Sequence, residues 1–321
     1  MSALSSFRVR GWILFSAYMS LIALTLWRAG GPGSSAPAPG SGSKRNALVE
    51  PFGEEGAIAV LEIQGPIALS MGGFGRDGGA DGILHRLREL REDRNVKAVI
   101  LRINSPGGTV ASVQEIYDAV RALQKSGKKI VASFEDVAAS GGYYIAAPCD
   151  RIVANPGSLV GSIGVIFHLN NIEELAKKVG VKSEVIKSGK MKDLGSATRP
   201  LTAEERKVFE GLVQSAYGQF LTAVSQGRKM PEEKLRPLAD GRVFTGEQAL
   251  AAGLVDVLGG FDQAVEEARK AAGIRNAKPR LILTERPWGK LLQLLQNHSS
   301  GPWDRWVRWA EPRASLEYVW E

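Results

Sequence analysis

Val137-Ala138-Ala139-Ser140-Gly141-Gly142-Tyr143-Tyr144 presents one hydroxyl framed by residues too small to obstruct a substrate. A serine hydroxyl is a poor nucleophile until a neighbouring base takes its proton, so chemistry at Ser140 requires a partner. Lys187, Lys190 and Lys192 are candidate bases, and spacing to Ser140 does not choose among them; three solvated surface lysines would look the same. A lysine does this work only when neutral, which means lowering its pKa from ~10.4 by about three units, roughly 4 kcal/mol against the charged form. Burial in an apolar pocket, completed by bound peptide, would supply that penalty. A carboxylate on Asp193 facing the amine would undo it, so Asp193 is expected to point elsewhere. The rival chemistry is a Ser-His-Asp triad. His168 is the histidine close to these motifs, and nothing beside it singles out an orienting acid. The G-x-S-x-G elbow of α/β-hydrolases is absent, because position 138 is Ala. On its own, Ser140 reads as a helix N-cap.

Two further turns accompany this one. Asn104-Ser105-Pro106-Gly107-Gly108 directly follows the β-rich run VKAVILRI and precedes a helical stretch, so its amides lie at a strand-to-helix turn, where backbone N–H groups can hold an oxyanion. A plain tight turn would use the same residues. Gly161-Ser162-Ile163-Gly164-Val165 reads as a turn at the start of a strand.

The elements that must position these turns follow from periodicity. AIAVLEI, VKAVILRI, KIVASF, DRIVAN and SEVIKS are strand candidates, alternating with amphipathic helices in the pattern of an α/β domain. Val113, Ile116, Val120 and Leu123 mark a crossover helix between parallel strands, with Gly127 at its carboxyl end. Ile83, Leu84, Leu87 and Leu90 mark an earlier helix, on which His85 sits among charged, solvated neighbours. Thr202 and Glu205 form a Thr-x-x-Glu capping box opening a helix that runs to about Gln226, expected to be the longest outside the membrane.

Composition removes several classes of function. The 321 residues, 44% hydrophobic, can bury one good-sized core. The net charge of +7 is spread among acidic residues rather than gathered in a block, which argues against nucleic acid as the partner. Cys149 is alone, and His85, His168 and His298 are scattered without metal-ligand spacing, so no metal or other cofactor is expected. Gly11 to Trp27 carries no charged side chain and reaches about 25 Å as a helix, near the short end of a membrane span, with Trp12 and Trp27 at its two ends. A cleaved signal peptide, with Ala36-Pro37-Ala38 as a loose cleavage site, is the alternative. Ala29 to Ser43 is nearly all Gly, Pro, Ser and Ala and reads as a tether.

Taken in order, N-S-P-G-G, A-A-S-G-G-Y-Y, G-S-I-G-V-I, S-G-x-x-K-D and D-G-R-V-F-T-G-E-Q-A-L-A-A-G-L-V-D resemble the signal peptide peptidase A family of bacteria, from Ala57 to about Gly273. The resemblance implies a crotonase-like, Clp-protease-like α/β fold behind an N-terminal transmembrane helix. It implies Ser140 as nucleophile, Lys192 as general base, and Ser162 as the residue that positions the lysine amine. Gly107 or Gly108, with Gly141, would supply the oxyanion amides. Expected partners are the membrane and peptide substrates, signal peptides above all, with a homo-oligomeric ring, an octamer, in which some family members build each site from neighbouring subunits. The expected layout is a cytoplasmic segment 1–10, an anchor 11–27, a linker 28–52, a peptidase domain 53–275 on the periplasmic side of the inner membrane, and a Trp-rich tail 276–321 of which the resemblance says nothing. In that tail Trp288, Trp303, Trp306, Trp309 and Trp320 interleave with basic residues, as in an interface-lying helix or a subunit contact. A catalytically inactive scaffold of the same fold, or an acyl-coenzyme A enzyme, are the readings that a serine-lysine pair disfavours.

Overall fold

Strands buried on both faces are built from near-continuous apolar runs, and AIAVLEI and VKAVILRI become such strands. A computed structural model describes residues 56–68, 79–283 and, as backbone alone, 316–319, all within one compact unit, Gly53–Glu321. The expected anchor, linker and tail tryptophans lie outside the described residues. No helix among the described residues is long and apolar enough to cross a membrane.

The order is β1 (Ala57–Gln64), α1 (Gly79–Glu92), β2 (Val96–Ser105), β3 (Gly107–Thr109), α2 (Val110–Lys125), β4 (Lys129–Ala139) and α3 (Gly141–Ala146). Then follow β5 (Arg151–Ala154), β6 (Leu159–Gly161), β7 (Ile166–Phe167), α4 (Glu173–Lys178), α5 (Ala203–Arg228) and α6 (Glu232–Leu235). The described chain closes with β8 (Val243–Thr245), α7 (Gly246–Ala251), β9 (Val257–Leu258), α8 (Phe261–Ala271), β10 (Leu281–Leu283) and β11 (Leu316–Val319). The main sheet runs β10-β1-β2-β4-β5-β9 in parallel, while β6 continues beside β4 and pairs antiparallel with β8. Side chains alternate across it: Ala59, Leu61 and Ile63 join the core under α1, α2, α3 and α5, and Ile58 and Val60 meet Ala264 and Ala268 of α8 on the other face.

Helix placements follow the apolar spacing. Val113, Ile116, Val120 and Leu123 of α2 are fully buried, and Gly127 takes φ +92° just past its end, where a residue with a Cβ would be strained. Helix α5 is the longest described and opens on the expected capping box, with both reciprocal bonds of Thr202 and Glu205 made. His85 is exposed beside Glu89. SEVIKS is not a strand. Residues 181–187 have no regular structure, and Val185 and Ile186 are exposed with no strand to pair against.

Strand β4 is what aims the site. Its first half pairs with β5 and its last three residues with β6, with a register break opposite Ile103–Ser105 of β2 where both chains bend. Val137 N–H donates to Asn104 Oδ1 at 3.3 Å, tying the two turns together at that break. Helix α3 follows at once and is wholly buried; Tyr143 donates its hydroxyl to Leu254 O at 2.9 Å, which anchors the helix to the segment between α7 and β9. Burial raises the Tyr143 phenol far above its usual range, so it remains a neutral donor. Replacing Tyr143 with Phe leaves that carbonyl unpaired, and urea unfolding should show a loss of about 1–3 kcal/mol; an unchanged midpoint would mean the bond contributes nothing.

Candidate active site

A strand that ends in Ala-Ala-Ser-Gly-Gly has to turn sharply into a helix with little side-chain bulk. Ser140 makes that turn at φ +49° and ψ −113°, a setting that a residue with a Cβ seldom adopts. Its amide donates to Gly161 O at 2.7 Å, and its carbonyl accepts from Tyr144 N–H at 2.9 Å. Ser140 precedes α3 in the N-cap position, yet its side chain caps nothing. The N-cap reading is therefore wrong in function though right in place. The hydroxyl is buried and has no hydrogen-bond partner, an expensive state for a polar atom unless a ligand or base completes it. Among the described residues no histidine bonds to it.

The glycines of the other turn close in on Ser140 from β3. A methyl on Gly141 would lie 3.1 Å from Gly108 N and 2.7 Å from a Val113 methyl, and one on Gly108 would lie 1.8 Å from Ile67 O. Only two glycines allow this approach. Of the expected oxyanion donors, Gly107 has its N–H committed to Ser105 Oγ at 3.1 Å, whereas the Gly108 amide lies against Gly141, the residue after Ser140. Gly108→Ala drives a methyl into the Ile67 backbone and has to move β3, so kcat should fall by about 100-fold or more while circular dichroism shows the rest of the fold retained; near-parental turnover would remove Gly108 from the site.

Ser162 stands next to Ser140, because the residue before it, Gly161, accepts the Ser140 amide bond. It shares the unusual backbone, φ +48°, and is 6% exposed. Beyond it opens a cavity of about 500 Å³ lined by Ser162, Val165, Ile166, Val213, Tyr217 and Asp240. Its outer wall is β7, and between β7 and β3 lies the chain's own β11, antiparallel to both, with Tyr318 opposite Gly108 and Val319 opposite Gly107. An extended segment thus runs along the glycine turn. Periodicity in the Trp-rich tail had pointed to a helix and carried no sign of this strand.

Lys192 is not where an apolar pocket would put it. Within the chain it is exposed, and its side chain bonds to neither Ser140 nor Ser162. Its loop is a series of tight turns, with Lys192 N–H on Gly189 O at 3.1 Å and Leu194 N–H on Met191 O at 3.1 Å. Asp193 does point away from the lysine, toward Lys187 at 2.5 Å and Arg199 at 3.0 Å. The competitors are engaged: Lys187 holds Asp193, and Lys190 pairs with Glu204. Ile172, Leu175, Val179, Val181, Val185 and Ile186 of the same segment are exposed. Among the described residues no cluster of side chains could hold a metal ion.

Comparison with known proteins agrees with this geometry. The model of peptidase family S49 matches residues 122–275, and that of Clp protease matches 67–155, in keeping with a Clp-protease-like α/β fold with a mixed sheet. A protein of Synechocystis sp., named as a protease, is 44% identical over 230 residues, covering 72% of this chain and 79% of its own. An Enterococcus faecium protein named for signal peptide peptidase SppA is 37% identical over 239 residues, 72% of this chain and 70% of its own. Protease 4 of Salmonella typhi is 38% identical over 229 residues, 71% of this chain but 37% of its own length.

Proposed function

The chain belongs to peptidase family S49, with the signal peptide peptidase A proteins, and is a serine peptidase; we propose that Ser140 is its nucleophile and Lys192 its general base. The observation that carries the assignment of Ser140 is its state: a strained backbone, a buried hydroxyl with no partner, and two glycine amides at its side. Neutral Lys192 takes the hydroxyl proton as Oγ attacks the peptide carbonyl, and the amides of Gly108 and Gly141 hold the oxyanion. The lysine then returns the proton to the leaving amine, and water releases the acyl-enzyme by the same route in reverse. Ser162 orients the amine.

Lys192 reaches this position from a neighbouring copy. Support comes from its exposure within the chain and from the exposed apolar residues on either side of α4, which a second subunit would cover. Burial at that junction supplies the desolvation that a neutral lysine requires. A head-to-tail contact of this kind closes into a ring, the octamer that the family resemblance implies. Substrates lie in the slot between β3 and β7 as an added strand, as β11 does, and send side chains toward the cavity beside Ser162. Signal peptides left in the membrane suit this slot, being extended and apolar, and residues 11–27 would anchor the domain beside them on the periplasmic face.

Ser140→Ala and Lys192→Ala should each abolish hydrolysis of a fluorogenic signal-peptide-like substrate. If each site combines two copies, co-refolding the two inactive variants at equal amounts restores activity at about a quarter of the sites, since half the serines survive and half of those meet an intact lysine. No recovery from mixed assemblies would place both residues of each site in one subunit. A chain ending at Ser315 should show a several-fold lower KM for the same peptide with kcat little changed; an unaltered KM would sink the assignment of the β3–β7 slot to substrate.

A further inference from the structure

Arg199 is tied to the base's loop more fully than a helix cap requires. Its Nε donates to Asp193 Oδ2 at 3.0 Å and its Nη2 to the Asp193 carbonyl at 3.1 Å, so one guanidinium grips both the side chain and the main chain of the residue after Lys192. Its outer edge makes a forked contact with Glu205, Nη1 to Oε2 at 2.9 Å and Nη2 to Oε1, and Nη1 also reaches Pro200 O at 3.1 Å. Glu205 is 2% exposed and closes the capping box through the Thr202 amide. Thr202 and Glu205 complete that box without Arg199, so capping does not explain the grip on Asp193. Neutralising the buried Glu205 explains one half of the guanidinium and leaves the other half unaccounted for.

The second half makes sense beside a lysine that must lose its proton. Asp193 is the next residue to Lys192, and a free carboxylate within about 4–6 Å of an ammonium favours the charged form by 1–3 pKa units. We propose that Arg199 is a positioning residue for the Lys192 base: it fixes the base's loop to the amino end of α5 and keeps the Asp193 carboxylate from pairing with the amine. The idea rests on the reading of Lys192 as general base. Hydrogen bonds from Arg199, then Lys187, hold the Asp193 carboxyl far below the usual carboxylate range, so it stays an anion at any working pH and has to be held aside. Of the other charges around this loop, Lys187 shares the Asp193 side chain but not its main chain, so it is removed as well in the test below; Lys190 takes Glu204, Glu205 is on Arg199, and Arg206 and His168 line the adjoining cavity with Arg199. Helix α5, to which the loop is tied, packs on the helix after Ser140 through Phe220 and Tyr144, ring centroids 4.8 Å apart. One helix therefore serves as the reference for both the nucleophile and the loop of the base.

The test is the pH profile of kcat/KM for the full chain on the fluorogenic peptide. The acid limb reports the base of the free enzyme. On a Lys187→Met background, which removes the other cation on Asp193, Arg199→Met frees the Asp193 anion to raise the pKa of the base, so the acid limb moves up by about one unit or more relative to Lys187→Met alone, with roughly ten-fold lower kcat/KM on that limb. Adding Asp193→Asn to Arg199→Met removes the carboxylate next to the amine, and the acid limb returns toward the position it has with Arg199 present. Because Arg199→Met strands the buried Glu205 carboxylate, the same shift is sought in Arg199→Met/Glu205→Gln, whose interior holds no unpaired charge. A uniform fall in rate at every pH with an unmoved acid limb, or a shift that Asp193→Asn does not reverse, overturns the proposal and leaves Arg199 a structural cap partner. Lys192→Ala separates this from the parent reading. Activity surviving in that variant refutes the base itself, whereas loss of activity there together with an unmoved limb in the Arg199 variants refutes only the inference.

Discussion

Ser140 stands in a backbone setting that costs of order 1–3 kcal/mol for a residue with a Cβ, and most of the surrounding architecture serves to hold it there. The amide is pinned by Gly161 O at the end of β6, and the carbonyl begins α3, whose six residues are all buried. Tyr143 fastens that helix to Leu254, and Tyr144 packs against Phe220 of α5 and Tyr117 of α2. Neither the strand nor the helix alone would maintain the turn. The parallel pairing of β4 with β6 brings the two unusual serines side by side, since Gly161 lies between the Ser140 bond and Ser162.

The glycines have a complementary role. Gly108 lies against Ile67, and Gly141 against Gly107 and Val113, at distances that exclude a methyl group. Close approach of two backbones places main-chain amides beside Ser140, and backbone donors need no side-chain ordering when charge develops. The same closeness leaves β3 with a free edge along which an extended chain can lie, the place taken by β11. Ser140, the two glycines and the edge that β11 takes thus come together at the carboxyl ends of β2 and β4, where parallel α/β sheets commonly place their sites.

The segment that carries Lys192 is organised on a different principle. From Leu169 to Pro200 it contributes little to the core; tight turns and ion pairs hold it together, and Lys190 and Arg199 tie it to Glu204 and Glu205 at the amino end of α5. It leaves apolar residues such as Ile172 and Ile186 exposed within the chain.

Local pattern alone was enough for β1, β2, β4, α2 and the Thr202–Glu205 cap of α5, because in each the burial period or the capping residues are written within a dozen positions. Charge likewise predicted that Asp193 turns away from the lysine, and in the structure Lys187 and Arg199 take its carboxylate. SEVIKS has the composition of a strand, yet composition cannot supply a neighbouring strand, and none lies beside it. Ser140 looked like a cap because position predicts capping, while the direction of its hydroxyl depends on a left-handed turn fixed by contacts with residues 161 and 144. The exposure of Lys192, the commitment of Gly107 to Ser105, the grip of Arg199 on Asp193 and the seating of β11 on β3 were decided only in three dimensions. Each depends on how segments distant in the chain, or turns whose shape no periodicity records, are brought together.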